Sequence, residues 1–535
     1  MLSYDEVPYP NLSHVQSHPD SLATLTTLLG LSPSPIDNCR VLEIGCASGG
    51  NLIPMALSLP GSTLVGIDYS IRQIEDGQVA IAALGLTNIS LRHMDIREIT
   101  PELGQFDYII AHGVFSWVPV DVRDQLLTVC KQNLAPNGVA FISYNVYPGW
   151  HMLATIRDMM LYHTRNMVDP IERVAKARGV LKFLSESVPS ADHVRSHLLN
   201  AYSKFLQNEM GRIGPRADSF LLHDELEEIN NPLYFHEFVT LAEAHGLQYV
   251  TEVDFRGALP NFWPPEVVQA LTQMATNVVE MEQYLDFLRS RTFRQTLLCH
   301  AGLEINRTIE PAQLRKFHVA ARAVPESERP DIRSRTVEKF KGLDGASLAI
   351  DHPLSKCAMM VLARRWPQTI PMEELPAQAA ALLNGPNGGQ AETTADITDE
   401  DWQVLSSNLL KAFVYSDDLV EVHVSPLQFT LEVSERPVAS PWARFQAHDD
   451  VKVTNLRHER VEVDQLNQYL LPFLDGSRDC EALVDLLLAG PVAGGKLVVE
   501  QNDQPVTDPL EAREILTAEL RANLEWLARA ALLVA

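Results

Sequence analysis

Apolar residues along the first third of this chain fall into short runs separated by helical spacings, and each run ends on a polar or acidic residue. Residues 41–44 form an apolar run broken only by Glu43, which opens into a turn holding Gly45, Gly49 and Gly50 before helical spacing takes over at 51–59. The strand pattern returns at 64–67, ending at Asp68, and at 89–94, ending at Asp95. Runs at 105–111 and 139–144 follow, ending at His112 and Asn145. Residues 21–29, just behind the proline of His18-Pro19-Asp20, predict a helix flanking these strands. This order predicts a doubly wound, Rossmann-like α/β sheet, in which ligands bind outside the carboxyl ends of the strands. Gly45, Asp68, Asp95, His112 and Asn145 are therefore expected to face one crevice.

Further along, 150–232 reads as a helical insertion covering the crevice or mediating dimer contacts. Residues 233–245 are helical and stopped by Gly246, 248–253 and 293–300 predict strands six and seven, and a helix lies around 281–288. Beyond 301 come helices at 354–366, 371–383 and 399–415, a loop at 384–396, and a strand at 419–424, an order suggesting a winged-helix-like module. A weaker echo follows, with helices at 463–473, 478–488 and 510–533. The expected divisions are 1–149 (core strands one to five), 150–232 (insertion), 233–302 (completion of the core and regulatory region), 303–430 and 431–535 (two winged-helix-like domains).

The glycine turn departs from the dinucleotide fingerprint. In G-x-G-x-x-G, backbone amides hold a pyrophosphate, but here Glu43 precedes the first glycine, and a carboxylate would repel phosphate. An acid there suits a ligand with a cationic amino-acid end, which points to S-adenosylmethionine (AdoMet). Asp68, about 20 residues beyond the turn, sits where such folds place the acid that binds ribose hydroxyls. The carboxylate of Asp95 has two readings: partner of the adenine amino group, with Ile96 on the ring, or N-cap of the following segment. Cys46 reads as a small packing residue, because no basic partner adjoins it.

Six cysteines without metal spacing fit free thiols in a reducing cytoplasm, and neither a signal peptide nor a membrane-spanning run is seen. A net charge of −26 with scattered Lys and Arg argues against nucleic acid and for cationic partners or mere solubility.

The segments VLEIGCASGG, GIDYS, HMDIRE and FDYIIAHGVFSWVP resemble class I AdoMet-dependent methyltransferases. EVPYP, HPDSLATL, SYNVYPGWHM, NPLYFHEF and RTFRQTLLCH narrow the resemblance to the bacterial family with a methyltransferase regulatory domain, which includes protein lysine methyltransferases of outer-membrane proteins. The resemblance implies a cofactor shell of Glu43, Gly45, Cys46, Ala47, Gly49 and Asn51 in the first turn and Asp68, Tyr69 and Gln73 after strand two. It continues with Asp95 and Ile96 after strand three, and with Ala111, His112 and Gly113 after strand four. Ala47 is a departure, since glycine is commoner there. The partners implied are a lysine-bearing protein of the bacterial surface or outer membrane and a second copy of the chain.

AHGV follows strand four, where enzymes acting on amide or nucleobase nitrogen carry Asn/Asp-Pro-Pro-Tyr, so lysine amines, oxygen atoms and small molecules stay open as acceptors. A lysine acceptor must lose a proton against a reference pKa near 10.4, which desolvation and aromatic walls favour. Candidate wall residues are Tyr4, Tyr9, Trp117, Tyr144, Tyr147 and Trp150. His112 is placed to orient or deprotonate the amine, and Asn145 to accept a hydrogen bond from it; His112, Tyr144, Asn145 and Trp117 are thus the candidate catalytic residues. The alternatives are a small-molecule or O-methyltransferase and a noncatalytic AdoMet-binding regulator.

Overall fold

The computed structural model describes residues 3–188, 197–255, 263–384, 397–501, 504–506 and 508–534. Seven strands, β1 (Arg40–Ile44), β2 (Thr63–Asp68), β3 (Ile89–His93), β4 (Phe106–Ala111), β5 (Leu134–Asn145), β6 (Leu247–Glu252) and β7 (Phe293–His300), form one sheet in the order β3-β2-β1-β4-β5-β7-β6. The first five are parallel, and β7 enters antiparallel between β5 and β6. The order of strand addition reverses between the parallel neighbours β1 and β4, which opens the crevice at their carboxyl ends.

Side chains alternate between the faces. Val41, Tyr108, Ile110, Val139 and Phe141 pack with the helices Pro19–Leu28 and Leu52–Ser58. Leu42, Ile44, Ile109, Ile142 and Tyr144 pack on the other face with Val120–Asn133 and Phe235–Ala244. The same alternation overturns one expectation. Tyr144 falls on the opposite face from Asn145; its ring stacks on Phe238 at 3.9 Å and its hydroxyl shares a 2.9 Å hydrogen bond with Thr296. It is a core residue, away from the crevice.

Helices Gly149–Thr164, Pro170–Ser187 and His197–Ile213 make the predicted insertion, with its own apolar core. The middle region holds the helices Pro353–Arg365, Leu375–Asn384 and Asp399–Tyr415. It also holds the strand expected at 419–424, observed as Glu421–His423 (β13), and short strands that the apolar pattern misses: β8 (His318–Ala320), β9 (Val324–Pro325), β10 (Glu338–Lys341), β11 (Ser347–Ile350) and β12 (Ile370–Pro371). Two to four residues are too few to display a period of two. The expected loop at 384–396 lies, after Asn384, outside the described residues.

The C-terminal region adds a hairpin of β14 (Lys452–Thr454) and β15 (Arg460–Glu462), with helices Gln465–Leu470, Cys480–Leu487 and Pro509–Arg529 around a further core. Trp442, buried on the short helix Pro441–Gln446, joins the core of the main sheet, so this region is docked against the half that holds the sheet. Among the described residues no helix is long and apolar enough to cross a membrane.

Candidate active site

The crevice is a cavity of about 850 Å³ lined from the ends of β1, β2 and β4, from the first residues of the chain and from the insertion. Alternation along β1 turns Glu43 toward it, only 3% exposed. Its Oε1 accepts a 2.7 Å hydrogen bond from Asn51 Nδ2, while Oε2 is buried without a partner. Burial pushes this carboxyl up to about 8, against the hydrogen bond from Asn51 and with help from the charge of Asp68. A buried acid oxygen with nothing to bind is a site prepared for a cation.

The turn after β1 is shaped by close approach. Gly45 has φ +75, and a Cβ there would lie 2.5 Å from Val114 Cγ2. Ala47, at φ +48, also adopts the left-handed conformation, which explains why glycine suits this position. Its N–H donates to Asp68 Oδ2 at 2.9 Å, and Ser70 N–H donates to Oδ1 at 2.8 Å. Burial nonetheless raises the Asp68 carboxyl above its ordinary value. Asp68 therefore fastens the turn as well as facing the cavity, where its remaining lone pairs suit hydroxyl donors.

Of the two readings of Asp95, the structure displays the N-cap. Asp95 caps the single turn Ile96–Glu98, accepting from Arg97 N–H at 2.9 Å, while the Glu98 carboxylate accepts from the Asp95 N–H at 3.1 Å. The Arg97 guanidinium, 2.8 Å away, holds its carboxyl low, and Asp95, Ile96 and Met94 line the cavity. Tyr69, Gln73, Asn51, Cys46 and Gly113 line it too. Gln73 Nε2 donates to Tyr9 O at 3.2 Å, and Gly113 N–H to Ser143 Oγ at 2.7 Å. Burial raises the Cys46 thiol well above its ordinary value, which leaves it a packing group. Gly49 and Ala111 do not reach the cavity: Gly49 turns the chain against Leu91 and Ile53, and Ala111 is buried inside the sheet.

At the other end, Trp117 and Trp150 meet edge to face with centroids 6.4 Å apart, and Asn145, Thr292 and Phe293 complete the wall. Asn145 commits Nδ2 to Asn230 Oδ1 at 2.9 Å, so its carbonyl oxygen is the group it can offer to a donor. The His112 ring packs 4.0 Å from that of His14, and its buried Nδ1 has no partner. Burial, with His14 beside it, lowers the imidazole to about 3. This ring is neutral at any physiological pH, an acceptor of hydrogen bonds and a weak base. Tyr147 is not on the cavity; it stacks on His151 at 4.0 Å.

The sequence pattern overlooks His14, His223, Asp224 and Glu225. The first residues run across the crevice as a strap: His223 Nε2 bonds Val7 O at 2.7 Å, Tyr4 stacks on His223 at 4.2 Å, and Ser70 Oγ donates to Asp5 Oδ1 at 2.6 Å. A Cβ on Gly50 would collide with Asn11, 2.2 Å from its Oδ1. Asp224 and Glu225, both raised by burial, pair with Arg216 and Arg212 at 3.0 Å. The acid-rich stretch at 224–228 was their only signal, and acids alone do not announce a site.

Family profiles match residues 42–140 (methyltransferase domain), 217–300 (predicted methyltransferase regulatory domain) and 435–532 (PKMT, C-terminal winged helix domain). The uncharacterised protein RP789 of Rickettsia prowazekii is 35% identical over 540 residues, 99% of this chain and 93% of that protein. RP028 of the same organism is 39% identical over 242 residues, 45% of this chain and 94% of its own. The structure of PKMT2 from Rickettsia typhi superposes with a TM-score of 0.85 at 28% identity, covering 98% of this chain and all of that one. A second structure of it, in complex with AdoHcy, gives the same score and identity over 99% of this chain.

Proposed function

Because this chain belongs to the bacterial family of AdoMet-dependent methyltransferases with a methyltransferase regulatory domain and a PKMT winged-helix domain, we propose that its acceptor is a lysine amine on a protein. The observation that carries this reading is the aromatic pair Trp117 and Trp150 beside the Asn145 carbonyl, in the same cavity as Glu43 and Asp68. AdoMet, when bound, supplies an electrophilic methyl on a sulfonium. Glu43 Oε2 binds the ammonium of its amino-acid end, and Asp68 accepts from the ribose hydroxyls. Trp117 and Trp150 receive the lysine stem and exclude water, which lowers the amine's proton affinity. The proton leaves to solvent, because His112, held near 3, is too weak a base to keep it. His112 Nδ1 and Asn145 Oδ1 instead accept hydrogen bonds from the neutral amine and direct its lone pair, so that orientation supplies the rate.

A bacterial surface or outer-membrane protein is the substrate class that the family resemblance brings. Six unpaired cysteines fit a cytoplasmic site of action. Incubating lysate with labelled AdoMet and locating the label by mass spectrometry tests the acceptor. Methylated lysine in protein supports the reading; label confined to small molecules replaces it with the small-molecule or O-methyltransferase, and no transfer despite binding with the regulator.

A further inference from the structure

The winged-helix hairpin reaches the cofactor site through a single buried node. Asn51 has four hydrogen-bonding positions on its side-chain amide, and all four are filled. Nδ2 donates to Glu43 Oε1 at 2.7 Å and to Ser17 Oγ at 2.9 Å. Oδ1 accepts from His14 N–H at 2.9 Å and from His458 Nε2 at 2.7 Å, a partner 407 positions along the chain. An amide oxygen can only accept, so the His458 proton sits on Nε2. Two donors on Oδ1 leave the amide one orientation, with Nδ2 toward Glu43. Among the described residues, that Nδ2 is the only hydrogen-bond donor to Glu43.

His458 lies on the turn between β14 and β15 and adopts φ +64, a left-handed conformation that non-glycine residues seldom hold. The turn is clamped to keep it there: Asn455 Oδ1 accepts from both Arg457 and Glu459 N–H at 2.9 Å. The His458 ring is buried and lies 5.2 Å from that of His18. Next to it, Arg457 pairs with Glu421 of the middle region at 2.5 Å. The hairpin tip is thus set where the three regions meet.

We propose that His458 is a positioning residue for the cofactor: through Asn51 it holds the Glu43 carboxylate toward the ammonium of AdoMet, making the C-terminal hairpin part of the donor site. The inference rests on the assignment of Glu43 to that ammonium. It carries a reciprocal consequence, because a contact that strengthens cofactor binding must itself be strengthened by the cofactor. A ligand with the α-ammonium tightens the docking of the hairpin; a ligand without it does not.

The test uses the full chain and two ligands, AdoHcy, which carries the α-ammonium, and 5′-methylthioadenosine, which lacks it. His458→Phe is expected to weaken AdoHcy about tenfold by calorimetry, the scale of one misplaced charge-assisted hydrogen bond, and to leave methylthioadenosine unchanged. His458→Gln, whose amide nitrogen reaches the same place, restores affinity. Glu43→Gln probes the underlying assignment with the same selectivity. If Glu43→Gln spares AdoHcy, that assignment fails; if it weakens AdoHcy while His458→Phe does not, the assignment stands and the role of His458 is overturned. Equal loss of both ligands in His458→Phe likewise overturns it, because a packing defect would act on the whole cavity. A measurement needing no variant decides the case if His458→Phe does not fold. Hydrogen exchange at 452–462 in the unaltered protein is expected to slow with AdoHcy and not with methylthioadenosine, and equal protection by both refutes the coupling.

Discussion

Replacing Glu43 with glutamine is expected to strengthen the empty protein and weaken the occupied one. In the ligand-free chain, burial raises the carboxyl from its ordinary 4.5 to about 8. Between those values the folded protein holds a proton that the unfolded chain has released, so stability falls as pH rises from 4.5 through 8. At neutral pH this amounts to roughly 3 kcal/mol taken from the fold. Glutamine has the shape and neutrality of the protonated acid: its carbonyl still accepts from Asn51 Nδ2, and its NH₂ replaces the O–H as an unmatched donor. The variant should thus recover most of that roughly 3 kcal/mol at neutral pH and almost none below the ordinary carboxylate range. Against AdoHcy the order reverses, because a charge-assisted hydrogen bond of about 1.5–3 kcal/mol is lost, one to two decades in Kd. Denaturation of parent and variant across about pH 5–8, followed by exchange of the β1 amides so that the multidomain unfolding does not blur the result, checks the first half. Calorimetry with AdoHcy checks the second. A variant less stable than its parent at neutral pH, or an unchanged pH slope, would refute the argument that Glu43 is buried as a neutral acid.

Asp68→Ala is expected to weaken AdoHcy and also to destabilise the sheet by about 2 kcal/mol, since two backbone N–H groups lose their acceptor; urea midpoints read this. On the proposed reading, in which Trp117 lines the acceptor end of the cavity, Trp117→Ala should raise KM for the protein acceptor about tenfold with AdoHcy affinity intact. Burial works against protonating His423, yet Asp20 and Glu421 at 2.7 and 3.2 Å outweigh it and raise the imidazole to about 9. Its contribution is present in full below 6.5 and lost as pH rises through 9. Limited proteolysis should accordingly show looser docking of the middle region at alkaline pH, and His423→Leu should loosen it already at neutral pH.

The donor half was legible because its signals are local. An apolar run, a turn and an acid lie within about ten residues of each other, and repeating that unit with polar strand ends predicts a sheet. β7 was placed with its observed bounds, Phe293–His300, from alternation together with the two strands that the family resemblance still required. Tyr144 went wrong for the opposite reason, since its aromatic character suggested a wall while the two-residue period already sent it to the other face. Gly49 and Ala111 belong to the motif but shape the turn and the strand rather than the cavity. His14 and His458 were invisible because their meaning lies in partners far along the chain. The short strands β8 to β12 were missed because two to four residues carry no period, whereas β13 lies inside the strand expected at 419–424.

The position of β7 has a consequence for how the chain can become a protein at all. β5 gains its second neighbour from a strand that arrives only after the whole insertion and β6, so the loop to be closed is long and its entropy must be met before any pairing rewards it. Until then β5 offers the edge that β7 later covers, Ala140 to Asn145, to any other extended chain nearby. A fragment ending at residue 140, where the methyltransferase profile stops, would cut β5 in two and keep only Ala140 of the segment that pairs with β7. During synthesis the same edge is open until about His300 has left the ribosome, a window in which misassembly competes with folding.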